Sequence, residues 1–202
     1  LTTLTTAGGY ILLASNVDDA TDGDTTTNGF VQLRGGLVAT TNGGNITIGG
    51  GNTLGTSYAM GSSAEDYTEG ARFDVRFNLS SGGGNIAIRG KSYARAVQSG
   101  WGASGFGVYF LSASDSIDSG SGTIYIDGYS QTSGSSYSGA LLFSTSQPFT
   151  IKSSNTTASA IQLIGKAVGV GGNAWGLETK DSSLTIQATG TGGGITINTT
   201  QQ

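Results

Sequence analysis

The sequence predicts an all-β chain wound as a right-handed parallel β-helix, a β-solenoid of about five coils of 34–40 residues with three short strands in each. Three observations carry this reading. A glycine-rich turn followed by an apolar strand recurs at near-constant spacing, the apolar residues in each cluster alternate with period two, and Gly, Ser, Thr and Asn crowd a chain that has one proline.

The recurring unit is Gly9-Tyr10-Ile11-Leu12-Leu13, then Gly44-Asn45-Ile46-Thr47-Ile48, Gly84-Asn85-Ile86-Ala87-Ile88, Gly122-Thr123-Ile124-Tyr125-Ile126, Ala160-Ile161-Gln162-Leu163 and Gly194-Ile195-Thr196-Ile197. Its first apolar residues are separated by 35, 40, 38, 37 and 34 positions. Stacked at the roughly 4.8 Å spacing of hydrogen-bonded strands, Ile11, Ile46, Ile86, Ile124, Ile161 and Ile195 form one interior ladder.

A second apolar cluster follows in each repeat: Val31/Leu33, Phe73/Val75/Phe77, Phe106/Val108/Phe110, Leu141/Phe143 and Trp175/Leu177. A third precedes the next turn: Leu37/Ala39, Leu79, Ile117, Phe149/Ile151 and Leu184/Ile186. The chain is thus expected to be one solenoid segment over 1–202, with repeats near 11–45, 46–85, 86–123, 124–160 and 161–194 and partial coils at both ends. Helical spacing is absent, and glycine every few residues would cost a helix about 1 kcal/mol each time. An antiparallel sandwich would place two-residue turns between paired strands. The pairs Asp22-Gly23, Asn28-Gly29, Asn42-Gly43 and Asp127-Gly128 do not recur that way.

Composition narrows the chemistry. Thirty-six glycines would suit a disordered chain, but 36% of residues are hydrophobic and they cluster, so a core can form. With no cysteine and no histidine, thiolate and imidazole chemistry is excluded. The net charge is −4 and no Lys/Arg cluster could neutralise a row of phosphates, so nucleic acid is not an expected partner. No apolar run is long enough to span a bilayer.

The Gly-Gly-Asn-Ile-Thr-Ile unit at 43–48, echoed at 83–88, 121–126 and 193–197, resembles the β-strand repeats of filamentous-haemagglutinin-like exoproteins and large autotransporter passengers of Gram-negative bacteria. The resemblance implies export and folding outside the cell as a β-helical rod or fibre segment of a surface or biofilm-matrix adhesin. Its partners would then be further copies of itself, surface glycans, or host or neighbour-cell proteins. The absence of cysteine suits passage through a pore. The sequence opens on what reads as a third strand, Leu1–Thr6, and closes on a first strand. Stacking end to end is therefore expected, within a longer chain or as a non-covalent fibre.

Two groups of residues are candidate sites. The loop at 16–24 holds Asp18, Asp19, Asp22 and Asp24, an oxygen-rich set that suits Ca²⁺ but equally reads as a solvated acidic loop. No other cofactor is called for. Aromatics are expected to gather in loops, with Tyr93, Trp101, Tyr129, Tyr137 and Trp175 as a platform for sugar rings or a partner protein, or else as lids over the core.

No catalytic residue is assigned and the chain is read as a non-enzyme. The outward positions of the first strand, Leu12, Thr47, Ala87, Tyr125, Gln162 and Thr196, offer no acid. On the second strand Asp74 is expected in a salt-bridge ladder between Arg72 and Arg76, with no second carboxylate in register. Gly100-Trp101-Gly102-Ala103-Ser104-Gly105 matches a dinucleotide fingerprint only in spelling, since no helix follows it. The function this supports is a structural or adhesive extracellular rod that presents variable loops. The alternative is a β-helix that binds or degrades polysaccharide.

Overall fold

The computed structural model describes residues 1–15, 29–50, 57–61, 68–93, 105–111, 115–131, 138–145, 147–168, 174–180 and 183–201, and among these there are strands and turns and no helix. β1 (Thr2–Thr5) precedes the first coil. That coil is β2 (Ile11–Ser15), β3 (Val31–Leu33) and β4 (Leu37–Thr40). The second is β5 (Ile46–Gly50), the two-residue β6 (Ala59–Met60), β7 (Ala71–Phe73) and β8 (Phe77–Ser80). The third is β9 (Ile86–Lys91), β10 (Val108–Phe110) and β11 (Asp115–Asp118), and the fourth is β12 (Ile124–Ser130), β13 (Ser138–Ser144) and β14 (Phe149–Ser153). The fifth is β15 (Ile161–Ala167), β16 (Ala174–Lys180) and β17 (Leu184–Ala188), and β18 (Ile195–Gln201) adds one further strand.

Equivalent strands of successive coils pair in parallel, so the chain is the β-solenoid that the repeat predicts, with three sheets. The first sheet runs β2-β5-β9-β12-β15-β18, with β6 beside β9; the second runs β3-β7-β10-β13-β16; the third runs β1-β4-β8-β11-β14-β17. The isoleucine ladder is in register throughout: Ile11 pairs Ile46, Ile46 pairs Ile86, Ile86 pairs Ile124, Ile124 pairs Ile161 and Ile161 pairs Ile195. Leu13, Ile48, Ile88, Ile126, Leu163 and Ile197 form the second interior column of that sheet. Between the second and third sheets phenylalanine rings fill the interior, with Phe73, Phe110 and Phe143 stacked at 4.8 and 4.9 Å between ring centroids. Fully burying each such side chain stabilises the fold by about 1.5–3 kcal/mol.

Two assignments of local structure change. Phe73, Val75 and Phe77 do not share a strand: β7 ends at Phe73, Asp74–Arg76 turn the corner, and Phe77 begins β8. Both phenylalanines still face inward because three residues of turn restore the parity, while Val75 lies exposed on the corner. The third sheet also carries an inward acid. Asp115 pairs with Phe149 in the apolar column, 3% exposed, and its Oδ1 accepts the Phe77 amide at 2.9 Å.

The corner from the third sheet to the first explains the repeated Ser/Thr-and-glycine spelling. The hydroxyls of Thr6, Thr41, Ser81 and Ser119 each reach the carbonyl three residues on, at Gly9, Gly44, Gly84 and Gly122. Thr41 and Ser81 also lie 3.0 and 3.1 Å from the Ser81 and Ser119 carbonyls of the next coil. One proton serves one acceptor at a time, so each hydroxyl ties its own turn or the neighbouring one. After Thr41, Ser81 and Ser119 the next residue is left-handed, at φ 52° for Asn42, 63° for Gly82 and 58° for Gly120, which is why Asn or Gly stands there; after Thr6 the left-handed residue is Gly8, one place later, at 89°. Asn45 and Asn85 extend the stack, their side-chain oxygens accepting the amides of Asn85 and Thr123 at 2.8 and 2.9 Å. Ser81→Ala is expected to lower stability by about 1 kcal/mol, read from the midpoint of urea unfolding, because the turn loses the one buried hydroxyl hydrogen bond that ties it to Gly84 or to Ser119.

Apolar and polar side chains share the two end coils. In β18 Ile195 and Ile197 are 44% and 52% exposed, and at the opposite end Leu4, Leu13, Leu33 and Leu37 line a cavity of about 210 Å³.

Candidate functional site

The three corners differ in length. From second to third sheet the connections are three or four residues, and from third to first they are five to seven. From first to second they are 15, 20, 16, 7 and 6 residues, the 20-residue one containing β6. All large variation therefore leaves the solenoid along one edge, where β2, β5, β9, β12 and β15 end.

Beside that edge the outer face of the first sheet carries a cluster of aromatic and charged side chains. Period two places Tyr125, Asp127 and Tyr129 of β12 outward, and register sets Arg89 beside Asp127 and both Lys91 and Lys166 beside Tyr129. The Lys91 and Lys166 ammonium groups lie 5.3 and 4.7 Å from the centre of the Tyr129 ring, and the Arg89 guanidinium lies 4.6 Å from that of Tyr125. These are cation–π distances. Tyr58 folds over from the excursion that contains β6, its ring edge-on to Tyr129 at 6.5 Å.

Asp127 is 5% exposed and its Oδ2 accepts hydrogen bonds from the Tyr58 and Tyr125 hydroxyls at 2.7 and 3.1 Å. Burial, followed by the hydrogen bond to Asp127, raises the Tyr58 pKa far above that of a free phenol. Burial and the Asp127 charge raise that of Tyr125. Both phenols therefore stay protonated donors through neutral and mildly alkaline pH.

A second cluster lies on the outer face of the second sheet. Arg72 reaches Glu69 at 3.4 Å and Asp74, and Asp74 also accepts Gln32 at 2.6 Å and faces Arg34 at 3.7 Å. The ion-pair partners of Asp74 among the described residues are thus Arg72 and, from the neighbouring coil, Arg34, rather than Arg72 and Arg76; Arg76 stands at the far end of the same three-residue corner, next to β8. Glu69 is the second carboxylate that the strand pattern missed, since it precedes β7. Burial alone would lower the Arg72 pKa, but the bond to Asp74 and the charge of Glu69 outweigh it and raise it. The Arg72 guanidinium also sits 5.4 Å from the centre of the Tyr109 ring.

Three of the predicted platform residues, Tyr93, Tyr129 and Trp175, lie among the described residues. Tyr129 lies within β12, and Trp175 lies within β16 on the parity of Leu177, which packs against the core. Tyr93 follows β9 and donates its amide to the Thr68 carbonyl at 2.9 Å. Trp101, Tyr137 and the acidic set Asp18, Asp19, Asp22 and Asp24 lie outside the described residues. Lys91, Lys166 and Asp127 were overlooked as neighbours of Tyr129, although aligning the repeats at offsets of 38 and 37 residues sets Lys91 and Lys166 beside it. Among the described residues no helix is long and apolar enough to cross a membrane. Compared with protein-family models, curated proteins and solved structures, the chain matches none.

Proposed function

We propose that this chain is an extracellular structural rod segment that adheres through the one edge where its long connections emerge. The observation that carries the reading is the confinement of length variation to that edge, from 6 to 20 residues, while the other two corners stay between three and seven. Such a division keeps the stacking constant and varies only what a partner meets. The resemblance of the strand repeats to haemagglutinin-like and autotransporter surface proteins supports the same reading. With it goes the end-to-end stacking that such a rod would show, within a longer chain or as a non-covalent fibre.

The 202-residue chain is expected to grow into assemblies with concentration in light scattering, with a roughly 4.8 Å repeat in fibre diffraction, and Ile197→Lys should suppress both. A monodisperse particle of 20.2 kDa at every concentration would refute the stacking. For adhesion, replacing residues 92–107 by a six-residue connection like that between β15 and β16 should leave the β-sheet circular dichroism intact. It should also lower retention of chain-coated beads on surfaces bearing polysaccharide or matrix protein. Unchanged retention would overturn the role of that edge.

A further inference from the structure

Where the first-sheet strands begin, at the opposite end from the long connections, Tyr10, Asn45 and Asn85 hold the same place in successive coils. Each stands one residue before the isoleucine ladder, at Ile11, Ile46 and Ile86. We propose that this column binds a neutral, extended glycan, with a pyranose ring stacked on Tyr10 and sugar oxygens accepting hydrogen bonds from Asn45 and Asn85. It lies across the sheet from the variable edge and shares no residue with it.

The fold sets the orientation of both carboxamides. Asn45 Oδ1 accepts the Asn85 amide at 2.8 Å and Asn85 Oδ1 accepts the Thr123 amide at 2.9 Å, so in each an oxygen must face the backbone. Nδ2 is thereby held on the other branch, and both side chains are exposed. Among the described residues neither nitrogen has an acceptor within hydrogen-bond distance. The pair presents donors one strand spacing apart, roughly 4.8 Å, already ordered before a ligand arrives.

Tyr10 supplies the apolar half of the site. It takes the place where an asparagine would continue the ladder, it is 64% exposed, and among the described residues neither a cation nor a second ring covers it. Its ring face suits the C–H face of a pyranose, whose hydroxyls then reach the neighbouring amides. The adjoining column is Leu12, Thr47 and Ala87, short enough beyond Leu12 that no wall rises between Tyr10 and Asn85. The floor spans two strand spacings, roughly 10 Å, enough for two or three rings of an extended chain. No charged side chain stands in either column over these three coils, and the chain carries net charge −4. Uncharged donors suit hydroxyl and ring oxygens, whereas carboxylates and phosphates are held best by charged ones.

Isothermal titration of the 202-residue chain with a β-1,4-linked glucose hexamer tests the site, with an α-1,4-linked glucose hexamer and a galacturonic acid hexamer as comparisons. Saturable binding of the β-linked hexamer alone is expected, unchanged by added salt because no ion pair forms. Tyr10→Ala and Asn85→Asp should each weaken it about tenfold or more, while Val75→Ala, at an exposed position on another corner, leaves it unchanged. Asn85→Asp keeps an oxygen to accept the Thr123 amide and removes only the donor, so an asparagine that serves the stack alone would tolerate it. Circular dichroism checks that each variant keeps its sheet. Absence of binding, equal binding of either comparison sugar, or indifference to Tyr10→Ala or Asn85→Asp would overturn the site. Replacing residues 92–107 leaves this column in place, so the variable edge and the glycan site stand or fall by separate measurements.

Discussion

Gly84→Ala is expected to destabilise the chain by about 3 kcal/mol or more, or to prevent folding. A β-carbon built at Gly84 falls inside the van der Waals envelope of the Gly44 carbonyl, and Gly44 and Gly122 meet the carbonyls of Gly9 and Gly84 in the same way. These obstacles are backbone, not side-chain tips, and the backbone is fixed by the parallel ladder on either side. The strain would therefore have to separate two coils. Gly35 offers a control: nothing lies near its β-position and its φ is not left-handed, so Gly35→Ala should fall within about 0.5 kcal/mol of the parent in guanidinium unfolding. Equal midpoints for the two variants would show that the corner can relax.

Two residues on, Ile86→Ala should cost about 2–4 kcal/mol in the same measurement. Its side chain is fully buried between Ile46 and Ile124, and the strands above and below cannot move in to close the cavity without breaking register. Tyr129→Ala removes a half-buried outward ring whose contacts are two lysines and Tyr58, and should cost clearly less. A reversed ranking would contradict the inside and outside faces described here.

The ladder was legible because alternation and spacing are written in the same residues: each isoleucine of 11, 46, 86, 124, 161 and 195 follows a turn of near-constant length. The second-sheet strands were less so, since a three-residue corner preserves parity and let Phe73, Val75 and Phe77 read as one strand. From sequence Tyr129 reads as a loop residue, since the alternating apolar run of its repeat ends at Ile126. Gly128 instead lies inside β12, where the Ala140 carbonyl comes too close for a side chain. Tyr58 could not be placed from sequence at all. It reaches Asp127 from a 20-residue excursion that has no counterpart of equal length in the other coils, and no periodicity extends into such a segment.

The unequal corners also divide the chain by how it can change. The two shorter corners stay at three or four and five to seven residues in every coil, because the strand that follows each must still meet its partners in register, so a long insertion there would disturb the coils stacked on it. A residue inserted on the long-connection side shifts nothing, because closing a longer loop costs little and the strands on either side keep their partners. Mutation can therefore accumulate along one edge almost independently of the rest, and foreign peptides grafted there would be carried at intervals set by the coil spacing, roughly 4.8 Å apart along the stack.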